Sequence, residues 1–367
     1  MKPIQPFPNH EVDEKYKPSS RASSARPVYY LRYRYPHHAA ASGYDRICDY
    51  VESETVYPSR SLYLLGETAF RPVALAVSRF GGHFEYSRYD WVAERAFESK
   101  IRQARDSIFH VIYAEKSLRT AHRLANIRGN RLVTTVHHPK EHHQMLFRNF
   151  DHFRSAAATI VMTSALQETW SEILGAGKVH YIPHGIDTDY FKPGHRDGSR
   201  RRCLFSGYHG RDFELLQQAA RVLSDRYADF ELWVVSSSPE ALALHGITEN
   251  VRVIRYLDDI QYLDALKNFD LMILPVKADT ANNAILEAMA CGLPIVTNEG
   301  SPTDYMDTTC GHILPFRDAE GFIDACIDLL DDAGLRSRFG IAARQRAELF
   351  SWQRIAEKTV KLYGTLN

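Results

Sequence analysis

The chain has 367 residues, 44% hydrophobic and 25% charged, enough to bury two cores without a disulfide or metal staple. Its 45 Lys and Arg residues balance 45 Asp and Glu residues, which argues against a dedicated nucleic-acid binder, and no apolar run reaches the roughly 18 residues of a membrane-spanning helix. The five cysteines are scattered with no CxxC pair, and the first twenty residues lack an apolar leader core, so reduced thiols and a cytoplasmic location are expected.

Residues 1–26 are polar and carry Pro3, Pro6, Pro8 and Pro18; they read as a disordered tail. Val28 to Tyr35 is rich in β-formers and predicts a first strand. Helices are expected over Tyr44 to Glu54, after a Gly43 turn, and over the amphipathic stretch Trp91 to Arg105. Strands at Ser107 to Ala114 and Arg131 to Val136 flank a predicted helix over Ser117 to Ile127. Strands at Thr159 to Thr163 and Val179 to Ile182 flank another over Ala165 to Gly175. Residues 183–202 have no apolar period and read as a linker. The pattern then restarts, with apolar runs at Cys203 to Ser206, Phe230 to Ser236, Val251 to Tyr256, Leu271 to Pro275 and Pro294 to Thr297. Helical segments lie between them at Asp212 to Arg226, Asp259 to Asn268 and Asn283 to Ala290. Strands alternating with helices argue for parallel sheets, and two such sets argue for an α/β protein of two doubly wound domains with a ligand cleft between them.

Charge is unevenly divided. Residues 1–183 hold 25 Lys and Arg against 18 Asp and Glu; the remainder holds 20 against 27. A basic first half suits an anionic acceptor or peripheral contact with an anionic membrane face; chance accounts for it equally well.

The stretch from Leu271 to Gly300 carries the most chemistry. An apolar strand ends at Pro275, a loop follows, and Asn282 or Asn283 can cap a helix that Gly292 and Pro294 stop. The loop thus delivers a helix N-terminus to the carboxyl edge of a sheet, where free N–H groups suit a diphosphate. Glu287 lies one turn inside, within reach of ribose hydroxyls; alternatively it only stabilises its own helix.

The run from Leu286 to Val296, LEAMACGLPIV, resembles the hallmark phrase of GT-B glycosyltransferases of the retaining family 4 type. Asp279 stands eight positions before Glu287, with seven residues between them, where that family has a Glu, and Thr280-Ala281-Asn282 replaces its GFG. The run from Ile182 to Pro193 is similar to the hinge phrase that opens the family's second domain, and Leu204 to Gly207 to its next strand and glycine turn. Tyr208 occupies the family's diphosphate-binding Arg position, leaving Arg211 as the nearby cation. Phe350-Ser351-Trp352 resembles the phrase before a C-terminal helix that crosses back to the first domain.

The resemblance implies two facing Rossmann-like domains, 27–183 with 352–367 on the acceptor side and 184–351 on the nucleotide-sugar side. It implies transfer of a sugar from a nucleotide-diphosphate sugar to a glycan, lipid-linked or small-molecule hydroxyl. Retention and the absence of metal or other cofactor belong to the same expectation. A nucleotide-sugar epimerase of the same fold and a non-catalytic nucleotide-sugar binder are the alternatives. The donor-side residues are then Glu287, Arg211, Gly207, Tyr208, Asn282 and Asn283, with Asp279 acting nearer the transferred sugar.

His137-His138-Pro139-Lys140-Glu141-His142-His143 is the densest cluster of possible ligands. His138, Glu141 and His142 spell a zinc-peptidase pattern, but Pro139 keeps His138 out of a helix interior. The competing readings place His137 or His138 at a strand end, bonded to a sugar hydroxyl or an acceptor phosphate, or leave a solvated loop. At the first strand, Arg32 and Arg34 alternate with Tyr33 and Tyr35. Arg34, His38 and Gly43 are expected on the acceptor side, and His110 near the same cleft; a charged, protected edge strand is the plainer reading of this stretch.

Overall fold

The computed structural model describes residues 18–32, 41–57, 72, 73, 76, 86, 88–138, 150–196, 201–277, 283–300 and 302–366. The chain divides into two compact units. One comprises Met1–His38, Gly43–His184 and Trp352–Asn367; the other comprises Ala39–Ser42 and Gly185–Ser351.

In the first unit six short strands, β1 (Val28–Leu31), β2 (Glu54–Thr55), β3 (Ile108–Val111), β4 (Arg131–Val136), β5 (Ala158–Val161) and β6 (Val179–Tyr181), form one sheet in the order β2-β1-β3-β4-β5-β6. Every pairing is parallel. Strands covered on both faces by helices need continuous apolar runs, and β3 and β5 are buried at every residue. Helices α1 (Arg88–Gln103) and α2 (Ser164–Leu174) flank the sheet; the Thr163 hydroxyl caps α2 by accepting the Leu166 N–H.

The helix expected over Ser117 to Ile127 is instead three short turns, Ala114–Ser117, Ala121–Leu124 and Ile127–Gly129, with Arg128 at φ 56°. The cause is Glu94. Buried on α1, it accepts the backbone N–H groups of Arg119, Thr120 and Ala121. A helix begun at Ser117 would send the Ala121 N–H to the Ser117 carbonyl; the carboxylate takes it instead. The polar stretch before β1 is also fastened within residues 18–26. Ala22 pairs with Val51, its N–H donating to the Tyr50 carbonyl, and the Arg26 guanidinium donates to the Leu366 carbonyl.

The second unit repeats the scheme with β7 (Arg201–Ser206), β8 (Phe230–Val235), β9 (Val251–Ile254), β10 (Leu271–Leu274), β11 (Ile295–Asn298) and β12 (Gly311–Leu314). Their order is β12-β11-β10-β7-β8-β9, again with every pairing parallel. Its helices are α3 (Phe213–Arg226), α4 (Asp259–Asn268), α5 (Asn283–Ala290), α6 (Ala319–Asp331) and α7 (Ala333–Ala347). The last helix, α8 (Trp352–Thr365), belongs to the first unit.

The stretch read as a linker is partly built into the second unit. The Ile186 N–H donates to the Phe350 carbonyl, and the Arg344 guanidinium gathers the Thr188, Phe191 and Ala290 carbonyls at 2.8–3.1 Å. In each unit the strand order reverses at one point, between β1 and β3 in the first and between β7 and β10 in the second. Parallel sheets hold ligands beyond the carboxyl ends of the strands at such a point.

Candidate active site

In the second unit, the loops leaving β7 and β10 meet at the reversal. The Asp212 N–H donates to the Pro275 carbonyl at 2.9 Å, and the Lys277 N–H to the Gly210 carbonyl at 2.8 Å. Gly207 opens the β7 loop at φ 101°, and a Cβ there would lie 2.7 Å from the Arg211 guanidinium. The glycine lets Arg211 fold over its own loop, where Nε donates to the Ser206 carbonyl and Nη1 to that of His209, both at 3.1 Å. Tyr208 is 39% exposed and packs on His209.

A depression of about 510 Å³ is lined by Tyr208, Gly210, Arg211 and Lys277 among others. Lys277, which the sequence reading did not single out, adds a second cation beside Arg211 and is paired with Asp212 and Glu214 at 3.5 Å.

Helix α5 starts at Asn283 and carries Glu287 inward; the carboxylate is 4% exposed. Its C-terminus closes as the residue pattern requires. Gly292 sits at φ 65°, the Leu293 N–H reaches back to the Ala288 carbonyl and the Gly292 N–H to that of Met289, the paired bonds of a Schellman stop. Two hydroxyls hold the Glu287 carboxylate: Ser42 donates to Oε1, and Tyr262 of α4 donates to Oε2 at 2.9 Å. Burial pushes the Glu287 carboxyl up, opposed by the bonds from Ser42 and Tyr262. Burial, reinforced by the Glu287 charge, also keeps the Tyr262 phenol protonated and donating. Neither partner was legible in the sequence: Tyr262 lies 25 residues away and Ser42 lies 245. Ser42 is grouped with the second unit, and the adjacent Ala41 packs in that unit's core.

In the first unit, His137 and His138 follow β4, and Gly43 (φ 98°) precedes Tyr44. The His137 backbone N–H and Nδ1 both face Oε1 of Glu115, at 2.7 and 3.2 Å, and His138 Nε2 lies 3.9 Å from the same oxygen. Glu115 is a second residue that the sequence reading missed. Burial alone would raise its carboxyl, but the charge and hydrogen bond of His137 hold it down at about 2. Tyr113 stacks on the His137 ring and Tyr44 meets it edge-on.

His110 differs from expectation: it is fully buried, its ring bonded at 2.7 Å to Tyr363 of α8 and to Thr135. Burial, together with His137, pushes its pKa down to about 3, so it serves the core. Arg32 also turns inward, onto Asp45 and Asp49 at 2.9 and 2.7 Å. Asp279, Asn282, Arg34, His38, Glu141, His142 and His143 lie outside the described residues.

Two family models divide the chain between them: Glycosyltransferase Family 4 matches residues 52–190, and Glycosyl transferases group 1 matches residues 200–332. The chain belongs to the GT-B glycosyltransferases of the family 4 type. Among curated proteins it is similar to the phosphatidyl-myo-inositol mannosyltransferase of Mycobacterium leprae, 24% identical over 220 residues, 56% of this chain and 59% of that one. The aligned part is thus less than two thirds of that relative's length. Among solved structures, sucrose-phosphate synthase from Thermosynechococcus elongatus matches at TM-score 0.63 and 16% identity, over 92% of this chain and 98% of that one. HepE of Anabaena, solved with UDP and glucose, matches at TM-score 0.62 and 14% identity, over 93% and 100%. The two parallel-sheet units of this chain are those of the shared fold. No helix among its described residues is long and apolar enough to cross a membrane.

Proposed function

We propose that this chain moves a sugar from a nucleotide-diphosphate sugar to an acceptor hydroxyl, with retention and without a metal. The observation that carries the reading is the edge at β7 and β10. There a glycine loop, Arg211 and Lys277 converge, and α5, the next helix after β10, carries Glu287 buried one turn inside. Leaving-group charge on a diphosphate needs donors or cations, and the helix N-terminus with Arg211 and Lys277 supplies both. Glu287 receives the donor's ribose hydroxyls; a carboxylate has about four acceptor positions, and Ser42 and Tyr262 use two. Asp279 acts nearer the transferred sugar, and His137 or His138 binds the sugar or the acceptor. The mannosyltransferase relative and the UDP and glucose bound to HepE support a nucleotide-sugar donor and a glycan, lipid-linked or small-molecule acceptor. Cytoplasmic action with peripheral contact at an anionic membrane face belongs to the same proposal.

A thermal-shift panel of nucleotide sugars tests it. A true donor at about 100 times its Kd stabilises the fold by roughly 2.7 kcal/mol, and transfer from that donor survives EDTA. Absence of any stabilising nucleotide sugar, or activity lost with EDTA and restored by Mn²⁺, overturns the corresponding part.

A further inference from the structure

Glu115 stands just beyond the carboxyl end of β3, beside the carboxyl end of β4, and is 1% exposed. One of its oxygens, Oε1, faces both the backbone N–H and Nδ1 of His137. A carboxylate held ionised can only accept, so the proton of a neutral His137 ring must sit on Nδ1. The other ring nitrogen, Nε2, is then an acceptor. It is buried without a hydrogen-bond partner among the described residues, and so is Oε2 of Glu115. The ring cannot easily turn to exchange its nitrogens, because Tyr113 stacks on it with centroids 4.4 Å apart and Tyr44 abuts it at 5.1 Å. Among the described residues, the titratable groups beside His137 include Glu115, His110, Tyr44 and Tyr113, and His138 lies near the same Glu115 oxygen.

We propose that Glu115 is a positioning residue that locks His137 in the Nδ1–H tautomer, so that Nε2 accepts a hydrogen bond from a hydroxyl of the bound sugar or acceptor. A neutral ring in that state has no outward proton to give a phosphate, which separates the two ligand chemistries a histidine here could serve. The assignment of that hydroxyl rests on the glycosyl-transfer reading; the tautomer does not.

The test uses the full chain labelled with ¹⁵N-histidine, with the His137 signals assigned by loss in His137→Gln. Spectra are taken at alkaline pH. The expected result is protonated Nδ1 and bare Nε2 in the wild type. Glu115→Gln preserves that state, because its amide oxygen must still meet the His137 backbone N–H. Glu115→Ala shifts the ring toward the commoner Nε2–H form. An Nε2–H tautomer in the wild type overturns the proposal even if Glu115→Ala does not fold, and so does an unchanged tautomer in Glu115→Ala.

Kinetics give the second arm. Glu115→Ala lowers kcat/KM about tenfold but costs nothing further in a His137→Ala background. An equal further loss there means Glu115 acts alone and overturns the positioning role. A fall in donor affinity identifies the hydroxyl as the donor's, whereas a raised acceptor KM at unchanged donor affinity identifies it as the acceptor's; neither change overturns the assignment. If no sugar nucleotide turns over in the wild type, the transfer reading falls while the tautomer result stands.

Discussion

Two buried carboxylates, Glu287 and Glu115, are shifted in opposite directions because of what surrounds them. Glu287 is held by neutral hydroxyls, so burial dominates and its carboxyl rises. Glu115 faces an imidazole and falls to about 2. Linkage turns this into opposite pH behaviour. The contribution of Glu115 is present above the ordinary carboxylate range and is lost as pH falls toward about 2. That of Glu287 is present below the ordinary range and is lost as pH rises through its elevated value. Glu287→Gln should therefore gain stability relative to wild type between acid and neutral pH, read as urea midpoints. A gap that stays constant with pH would contradict the burial argument. The same variant should bind the donor roughly 10- to 100-fold more weakly by calorimetry, about 1.4 to 2.8 kcal/mol. Unchanged affinity would leave Glu287 as only a helix residue. The sequence made Glu287 legible because its neighbours form an unmistakable phrase. Ser42, Tyr262 and Glu115 were illegible because each acts through a contact that only the folded chain creates.

Most elements were legible from apolar runs and caps: α4 and α5 fall on their expected bounds, and β4 spans its whole apolar run. Expectation failed where a tertiary contact outbid local preference, as Glu94 did over residues 117–127, or where the signal was short. The strand β12 opens on a glycine and carries little apolar pattern. One packing contact reverses the usual helix rule. Gly340 lies inside α7, where alanine ordinarily improves a helix by about 0.5 to 1 kcal/mol. A Cβ there would meet the Gly292 carbonyl oxygen at 2.4 Å, a backbone atom at the end of α5. Gly340→Ala should thus destabilise by about 1 to 3 kcal/mol. Gly364→Ala in α8, with nothing within 4 Å, should be neutral or stabilising, by up to about 1 kcal/mol. Denaturant midpoints at unchanged slope decide both, and a stabilised Gly340→Ala would show that α5 and α7 can part without cost.

At the scale of the whole chain, the first unit is discontinuous, with residues 185–351 placed between its main body and α8. A buried row of polar groups joins the pieces: Tyr30 and Tyr363 share their hydroxyls at 2.9 Å, and Tyr363 also meets His110, which bonds Thr135. Removing one hydroxyl leaves buried partners unsatisfied, so Tyr363→Phe should cost about 1 to 3 kcal/mol. His110 adds a pH signature: stability should decline as pH falls below about 6.5, where the unfolded imidazole takes a proton that the folded one resists down to about 3. A difference in thermal midpoint between wild type and His110→Gln that stays flat from neutral pH to pH 5 would argue against that enclosure.

The discontinuity also has a meaning for biosynthesis. A ribosome releases β1 and β3 long before Tyr363, so a growing chain holds Tyr30 and His110 without the helix that satisfies them until synthesis nears residue 363. The second unit is contiguous apart from Ala39–Ser42 and can collapse on the ribosome first. A chain stopped after Ser351 should therefore show fast amide exchange in β1 and β3 alongside a protected second unit, and a peptide of residues 352–366 supplied separately should slow that exchange. Premature termination would in this way mark its own products, leaving an unfinished first sheet for the cell's proteases to recognise.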